Sequence, residues 1–174
     1  MKQKKTNESG FSLLELLLVV GVGALLLLGG LGVYRLVTQG NTINDATRFL
    51  TTLKNETQIT FQNQALYEGG TGGDMTAILI AAGAVPSANV AGTVINDPWG
   101  NAVTVTANGN QFDVGLTGVS EDACLSLGAL FNGNSDADFA GVLIGTSTTP
   151  LLDTTIANLV DECDANVDMT FSFF

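Results

Sequence analysis

Between Leu16 and Val33 the chain carries no charged or strongly polar side chain. At about 1.5 Å rise per residue, this run is long enough to cross a bilayer as a helix. One acid, Glu15, opens it. An acidic side chain in a spanning segment costs roughly 3 kcal/mol on insertion scales, so Glu15 requires a partner or a purpose. A cleaved secretory signal is the ordinary reading of an N-terminal apolar run, but this run exceeds a typical signal core and no Ala-x-Ala-like site closes it. A plain signal anchor accounts for Lys2, Lys4 and Lys5 ahead of the run and leaves Glu15 unexplained.

The segment Gly10-Phe11-Ser12-Leu13-Leu14-Glu15, set between a short basic leader and a long apolar run, resembles the type III signal of prepilins in the type IV filament superfamily. The resemblance covers Lys2 to about Val33. It implies that a prepilin peptidase cuts after Gly10 and methylates the new N-terminus at Phe11. The apolar helix is then retained, as an inner-membrane anchor before assembly and as filament core once the pilus assembly machinery has extracted it. It also implies that Glu15 attracts the N-terminal ammonium of Phe11 on a neighbouring subunit. Such a pair attracts strongly in an apolar core but must offset desolvation, so it selects register more than it adds stability.

Lys2, Lys4 and Lys5 precede the span and only Arg35, Arg48 and Lys54 follow it, so positive-inside bias keeps the leader cytoplasmic. In a bacterial cell the remainder is expected on the periplasmic side, an oxidising space in which Cys124 and Cys163 can bridge. Two buried free thiols are the alternative. The expected organisation is a leader over 1–10, a transmembrane and filament-core helix over 11–36, an amphipathic continuation over 37–67 and one globular head over 68–174. From Asn55 onward there are fourteen acids and no base, so no ion pair is expected within that stretch. Such a surface repels phosphate backbones and argues against direct nucleic-acid binding. A solvated acidic face that keeps an apolar protein soluble is the simpler role.

Ile43, Ala46, Leu50, Leu53, Thr57 and Phe61 recur at spacings of three and four, which places them on one helical stripe facing the head. Asn44, Thr47, Arg48, Thr51, Lys54, Asn55 and Gln58 fall mainly between them. One long helix is therefore expected from about Phe11 to Tyr67, with Gly40-Asn41 as a possible bend recapped by Asn41 or Thr42. Gly21, Gly23, Gly29, Gly30 and Gly32 each weaken a helix interior by about 1 kcal/mol relative to Ala. They read either as smooth faces for close helix packing or as a segment that loses helicity on leaving lipid.

Glu68-Gly69-Gly70-Thr71-Gly72-Gly73 reads as a flexible loop. With no following Lys and no preceding strand, it lacks the makings of a phosphate loop. Asp74 can then cap a helix over Met75 to Ala82, stopped by Gly83 and Pro86. Strands are expected at Val90 to Ile95, Ala102 to Thr106 and Gln111 to Leu116, the last two joined by an Asn108-Gly109 turn. Asp97-Pro98-Trp99-Gly100-Asn101 reads as a fixed turn with Trp99 plugging the core. Ser120 can cap a helix over Glu121 to Leu130, a strand follows around Phe139 to Ile144, and Asp153 can begin a helix carrying Cys163 near its end. Val167, Met169, Phe171 and Phe173 alternate in a last strand.

The αβ loop ending in Gly83-Ala84-Val85-Pro86, the hairpin, and a long C-terminal region with Val119-Ser120-Glu121-Asp122-Ala123-Cys124-Leu125 are similar to type IVb pilins. That resemblance implies an α+β, ladle-shaped fold: a long N-terminal α-helix packed on a mainly antiparallel β-sheet, with short extra helices and a C-terminal region tied by Cys124 and Cys163. It further implies homopolymerisation into a surface pilus for adhesion, aggregation or mate recognition, and the chain's length, with no appended binding domain expected, favours the major subunit. The ten-residue leader and Phe11 are more usual in type IVa pilins and pseudopilins. A pseudopilin of a type II secretion system, which can contain a turn like Asp97 to Asn101 and a calcium-ordered loop, is the alternative. Asn132, Asn134, Asp136 and Asp138 offer oxygens at alternating positions but lack the distal Glu of an EF-hand loop, so they are candidates only and no metal or other cofactor is assigned. The chain has no His, which removes Ser-His, Cys-His and His-rich zinc chemistry, and no enzymatic activity is expected. Mass spectrometry of the mature protein from its native source should find a methylated N-terminus at Phe11; a start downstream of Val33 would overturn the retained helix.

Overall fold

Helix α1, Leu13–Phe61, is the first element of the computed structural model, which describes residues 12–67, 72–134 and 136–174, with only the backbone of Leu31, Gly32, Arg35 and Leu36. The leader 1–10, the Gly10–Phe11 junction and Glu68 to Thr71 of the glycine-rich loop lie outside the described residues. Two compact units meet at the Gly40/Asn41 boundary. In the first, Leu13 to Gly30 has a mean hydropathy of 2.4, and none of this window is buried. Among the described residues, it is the one helix long and apolar enough to cross a membrane. α1 continues through Gly40, so neither Asn41 nor Thr42 begins a new helix.

The second unit, Asn41–Phe174, takes the end of α1 as one wall of its core. Ala46, Leu50, Leu53, Thr57 and Phe61 are buried, as the stripe requires, and Ile43 is partly buried against them. Phe49 and Lys54 are buried too, which widens the covered arc beyond the three-and-four spacing. The helix ends at Phe61, six residues short of the expected Tyr67. Tertiary contacts override propensity there: the Tyr67 amide donates to the Gly109 carbonyl at 3.0 Å, and its ring packs edge-on against Phe61 and Phe112.

Facing α1 is a six-stranded sheet of β1 (Val90–Ala91), β2 (Val94–Asn96), β3 (Ala102–Asn108), β4 (Gln111–Val119), β5 (Phe139–Ile144) and β6 (Val167–Phe173). Its order is β1-β2-β3-β4-β6-β5 and every neighbouring pair is antiparallel. Alternation buries Val103, Val105 and Ala107 on β3, Phe112, Val114 and Leu116 on β4, and Met169, Phe171 and Phe173 on β6. Register stacks these sets, pairing Phe112 with Phe173, Val114 with Phe171 and Leu116 with Met169. The Asn108-Gly109 hairpin forms with Asn108 opposite Gln111 and Gly109 at φ 68°.

Several elements differ from the sequence expectation. Val90 to Ile95 is two short strands rather than one, because the chain reverses at Gly92, whose φ of 66° suits glycine. β4 continues to Val119 through a register shift, where the Asp168 carboxylate accepts the Gly118 N–H at 3.0 Å. α2 is Thr76–Ala82, closed by Gly83 at φ 72°, and α3 is Glu121–Gly128. Ser120 occupies the position before α3, but its side chain makes no capping bond. α4 is only Ile156–Leu159 with Thr155 before it, so Asp153 does not start it and Cys163 lies beyond its end. Asp161 and Glu162 follow the C-cap Val160, and negative charge at a helix C-terminus opposes the macrodipole.

Phe171 is fully buried on β6, between β4 and β5. Phe171→Ala should destabilise the head by about 3–5 kcal/mol in urea unfolding of the full chain in detergent. Val160→Ala, at a position 55% exposed, should stay within about 0.5 kcal/mol.

Candidate assembly segment and the polar centre of the head

Ser12 precedes α1 and its carbonyl accepts the amides of Glu15 at 2.9 Å and Leu16 at 3.1 Å, which puts Glu15 in the first helical turn. An acid there complements the positive end of the helix macrodipole. Leu13, Leu14, Leu16 and Leu17 around it are all exposed, and Glu15 has no ion-pair partner among the described residues. A Cβ added at Gly21, Gly23, Gly29 or Gly30 would meet nothing within 4 Å. Within their own unit these glycines answer to no packing among the described residues, and α1 stays helical through them.

In the head, Lys54 is 6% exposed rather than on the polar side of the helix where the spacing put it. Its Nζ lies 3.0 Å from Asp136 Oδ2 and 3.8 Å from Asp138 Oδ2, and 5.2 and 5.5 Å from the ring centroids of Phe131 and Phe173. Two carboxylates and two aromatic faces make burial of the ammonium tolerable. The stretch from Asn55 holds no base of its own, but its acidic loop draws one from the helix. The available signal was the charge asymmetry itself: a lone lysine on a helix whose partner surface is entirely acidic.

That ion pair occupies the loop offered as a cation site. Asp136 serves Lys54 and accepts the Asp138 amide at 3.1 Å, while Asn132 Oδ1 accepts the Asn134 amide at 2.9 Å. The loop's side chains are thus brought together as a turn braced on an ammonium. Among the described residues, no group of three or more His, Cys, Asp or Glu is arranged to hold a metal.

Cys124 on α3 and Cys163 beyond α4 form a disulfide with Cα atoms 5.7 Å apart. Closing a loop of this size stabilises by roughly 4 kcal/mol in the chain-entropy estimate. The same α3–α4 contact explains Gly128, where a Cβ would lie 2.8 Å from Leu159 Cδ2. Asp97 holds the turn that follows β2, its Oδ1 accepting the amides of Trp99 at 2.9 Å and Asn101 at 2.8 Å. Trp99 packs against the core as expected, and it also lines a groove of about 620 Å³ beside Arg48 and Asp45. Two groups in this unit have displaced acidities. Hydrogen bonding to Thr76 holds the Asp74 carboxyl below its ordinary range, and burial, with the nearby Asp138 charge second, raises the Tyr67 phenol.

A long N-terminal helix, a six-stranded antiparallel sheet, short extra helices and the Cys124–Cys163 bridge define the type IV pilin fold. The family described as PilS N terminal matches residues 43–174, and the chain belongs to that family. The type IVb pilin from Salmonella typhi is similar in structure, with a TM-score of 0.56 at 21% identity, over 76% of this chain and 97% of that one. TcpA, a type IV pilin from the El Tor biotype of Vibrio cholerae, gives a TM-score of 0.50 at 14% identity, over 76% and 98% respectively. No curated protein sequence matches the chain.

Removing one partner of a buried pair strands the other, whereas replacing the buried charge by an apolar group of similar shape can be nearly neutral. Asp136→Ala should therefore cost about 1–3 kcal/mol, because Lys54 remains buried. Lys54→Met should cost less, because Asp136 and Asp138 are partly exposed and can rehydrate. Chemical denaturation of the two variants checks the order.

Proposed function

We propose that this chain is a type IVb pilin, the major subunit that polymerises into a type IV pilus on a bacterial surface. The observation that carries the reading is the exposed apolar helix Leu13–Gly30 with an acid, Glu15, in its first turn that has no ion pair among the described residues, on a chain with the pilin fold. Such a helix needs an apolar surrounding, and such an acid needs a cation. Lipid supplies the first before assembly, and neighbouring copies supply both within a filament.

On this reading the prepilin peptidase cuts between Gly10 and Phe11 and methylates Phe11. The ammonium of Phe11 on one subunit then pairs with Glu15 of its neighbour. The precursor sits in the inner membrane with its basic leader cytoplasmic and its head periplasmic, and the assembly machinery moves it into the pilus. Open faces at Gly21, Gly23, Gly29 and Gly30 suit close approach of neighbouring helices. The filament serves adhesion, aggregation or mate recognition. One feature, the Asp97 to Asn101 turn, favours a secretion-system pseudopilin instead. The disulfide across the long C-terminal region and the PilS family match favour the pilin.

Negative-stain microscopy of cells carrying Glu15→Val should show filaments lost or strongly reduced, while the mass of the subunit shows normal cleavage at Gly10. Normal pili from that variant would overturn the pairing. Intact filaments on cells lacking the gene would overturn the major-subunit role.

A further inference from the structure

Both oxygens of one carboxylate hold the Lys54 ammonium. Nζ lies 3.3 Å from Asp136 Oδ1 and 3.0 Å from Oδ2, so the carboxyl carbon that joins them sits within reach of the nitrogen. A second carboxylate, Asp138, stands 3.8 Å from the same Nζ, and the ring centroids of Phe131 and Phe173 lie 5.2 and 5.5 Å away. Of these four neighbours only the two carboxylates can take a proton from the nitrogen. Asp136 Oδ1 also accepts the Asp138 amide at 3.1 Å, which ties the two acids into one turn. The lysine side chain is 8% exposed, that of Asp136 27% and that of Asp138 60%. The nitrogen is therefore shut from water, while the second acid still exchanges protons with it.

A nitrogen nucleophile, a carboxyl carbon and an independent acid held this way are the parts of an amide-forming centre. Bringing amine and carboxyl together is the main obstacle to such a condensation, and folding removes it. Well-oriented groups within one molecule reach effective molarities of ~10⁵–10⁸ M, far above the concentration of the water that would reverse the reaction. Here α1 and the loop ahead of β5 supply the two groups from positions eighty-two residues apart. Burial beneath phenyl rings penalises charge, and condensation removes both charges of the pair at once. The reaction needs no oxidant and no partner from outside the chain.

We propose that Lys54 and Asp136 condense to an intramolecular isopeptide bond, with Asp138 as the proton carrier. A proton passes from the Lys54 ammonium to the Asp136 carboxylate, leaving an amine beside a carboxylic acid. Nζ then attacks Cγ of Asp136, and the C–N bond forms as the carbonyl electrons move onto oxygen. Asp138 takes one proton from the nitrogen and returns it to the departing hydroxyl, so the C–O bond breaks and one water leaves. An ammonium and a carboxylate have become a neutral amide and water. The bond joins α1 to the loop ahead of β5 and, unlike the Cys124–Cys163 bridge, survives reduction. On the pilin reading it holds the end of α1 to the sheet against a pull along that helix; the condensation itself does not rest on that reading.

Trypsin and mass spectrometry supply the test, because Lys54 is the last base in the chain and a lysine acylated at Nζ is not cut. The full-length chain, purified in detergent and then reduced and denatured, should weigh one water less than its sequence requires. Its C-terminal tryptic fragment should begin at Phe49, after Arg48, rather than at Asn55. Asp136→Ala should restore both the full mass and the cut after Lys54. Lys54→Met, the milder change to the fold, should likewise carry its full mass. Asp138→Ala, at a mostly exposed acid, should slow the condensation at least about tenfold, read as the uncrosslinked fraction at fixed times after a pulse of synthesis. A wild-type chain of full mass that yields the fragment from Asn55 overturns the proposal. So does a water loss that persists in Asp136→Ala or Lys54→Met, and an unchanged rate in Asp138→Ala overturns the role given to that acid. These readouts come from the isolated chain, whereas filament loss in Glu15→Val is read on cells, so failure of one inference is distinguishable from failure of the other.

Discussion

An apolar helix that its own chain leaves bare is the constraint to which the rest of this protein answers. Each exposed leucine between Leu13 and Gly30 forgoes roughly 1.5–3 kcal/mol that burial would give, so water is not its resting environment. Lipid tails and the leucines of a neighbouring helix are nearly equivalent surroundings, which lets one surface serve two settings. Glu15 separates the two. Hydrocarbon offers it no counter-charge, whereas a partner presenting an ammonium does, so on the proposed reading the acid biases the helix toward its own kind.

Beyond Gly40 the logic changes from an unsatisfied surface to a satisfied one. The end of α1 closes the sheet's inner face with a stripe of small and large side chains, and Lys54 adds charged contacts to Asp136 and Asp138 at that seam. An ammonium held by Asp136 under two phenyl rings tolerates little sliding of the helix. A buried pair of this kind fixes alignment more than it adds free energy.

Periodicity in the sequence located most of these parts, for a physical reason: burial faces repeat every 3.6 residues in a helix and every second residue in a strand. Leu50, Leu53 and Phe61 and the alternation from Val167 to Phe173 were legible that way; the Asn108-Gly109 reversal was legible as turn chemistry, β5 at its expected bounds, and the Cys124–Cys163 bridge from the expected oxidising compartment. Strand order was not, because alternation says which face is buried and nothing about which strand lies alongside. Lys54 was misplaced because a charged residue reads as solvent-facing unless its nearest partner, Asp136, eighty-two positions away, is known. The helix expected from Asp153 is a single turn, Ile156–Leu159, with acids at 161 and 162 beyond its end that oppose its dipole, and the end of α1 at Phe61 is decided by tertiary contacts of Tyr67.

β6 is the last strand of the sheet in sequence order, yet it lies between β4 and β5, and among the described residues β5 has no other strand neighbour. Polypeptides emerge from the ribosome and through export channels starting at the N-terminus, so the seven residues of β6 are the last of the sheet to arrive. Until then β4 and β5 present open edges, the state in which strands join wrong partners. Closure by distant segments also makes folding slow. A nascent head therefore holds an unclosed sheet until β6 emerges, and a copy truncated before β6, unable to zip its own sheet, would be open to proteases.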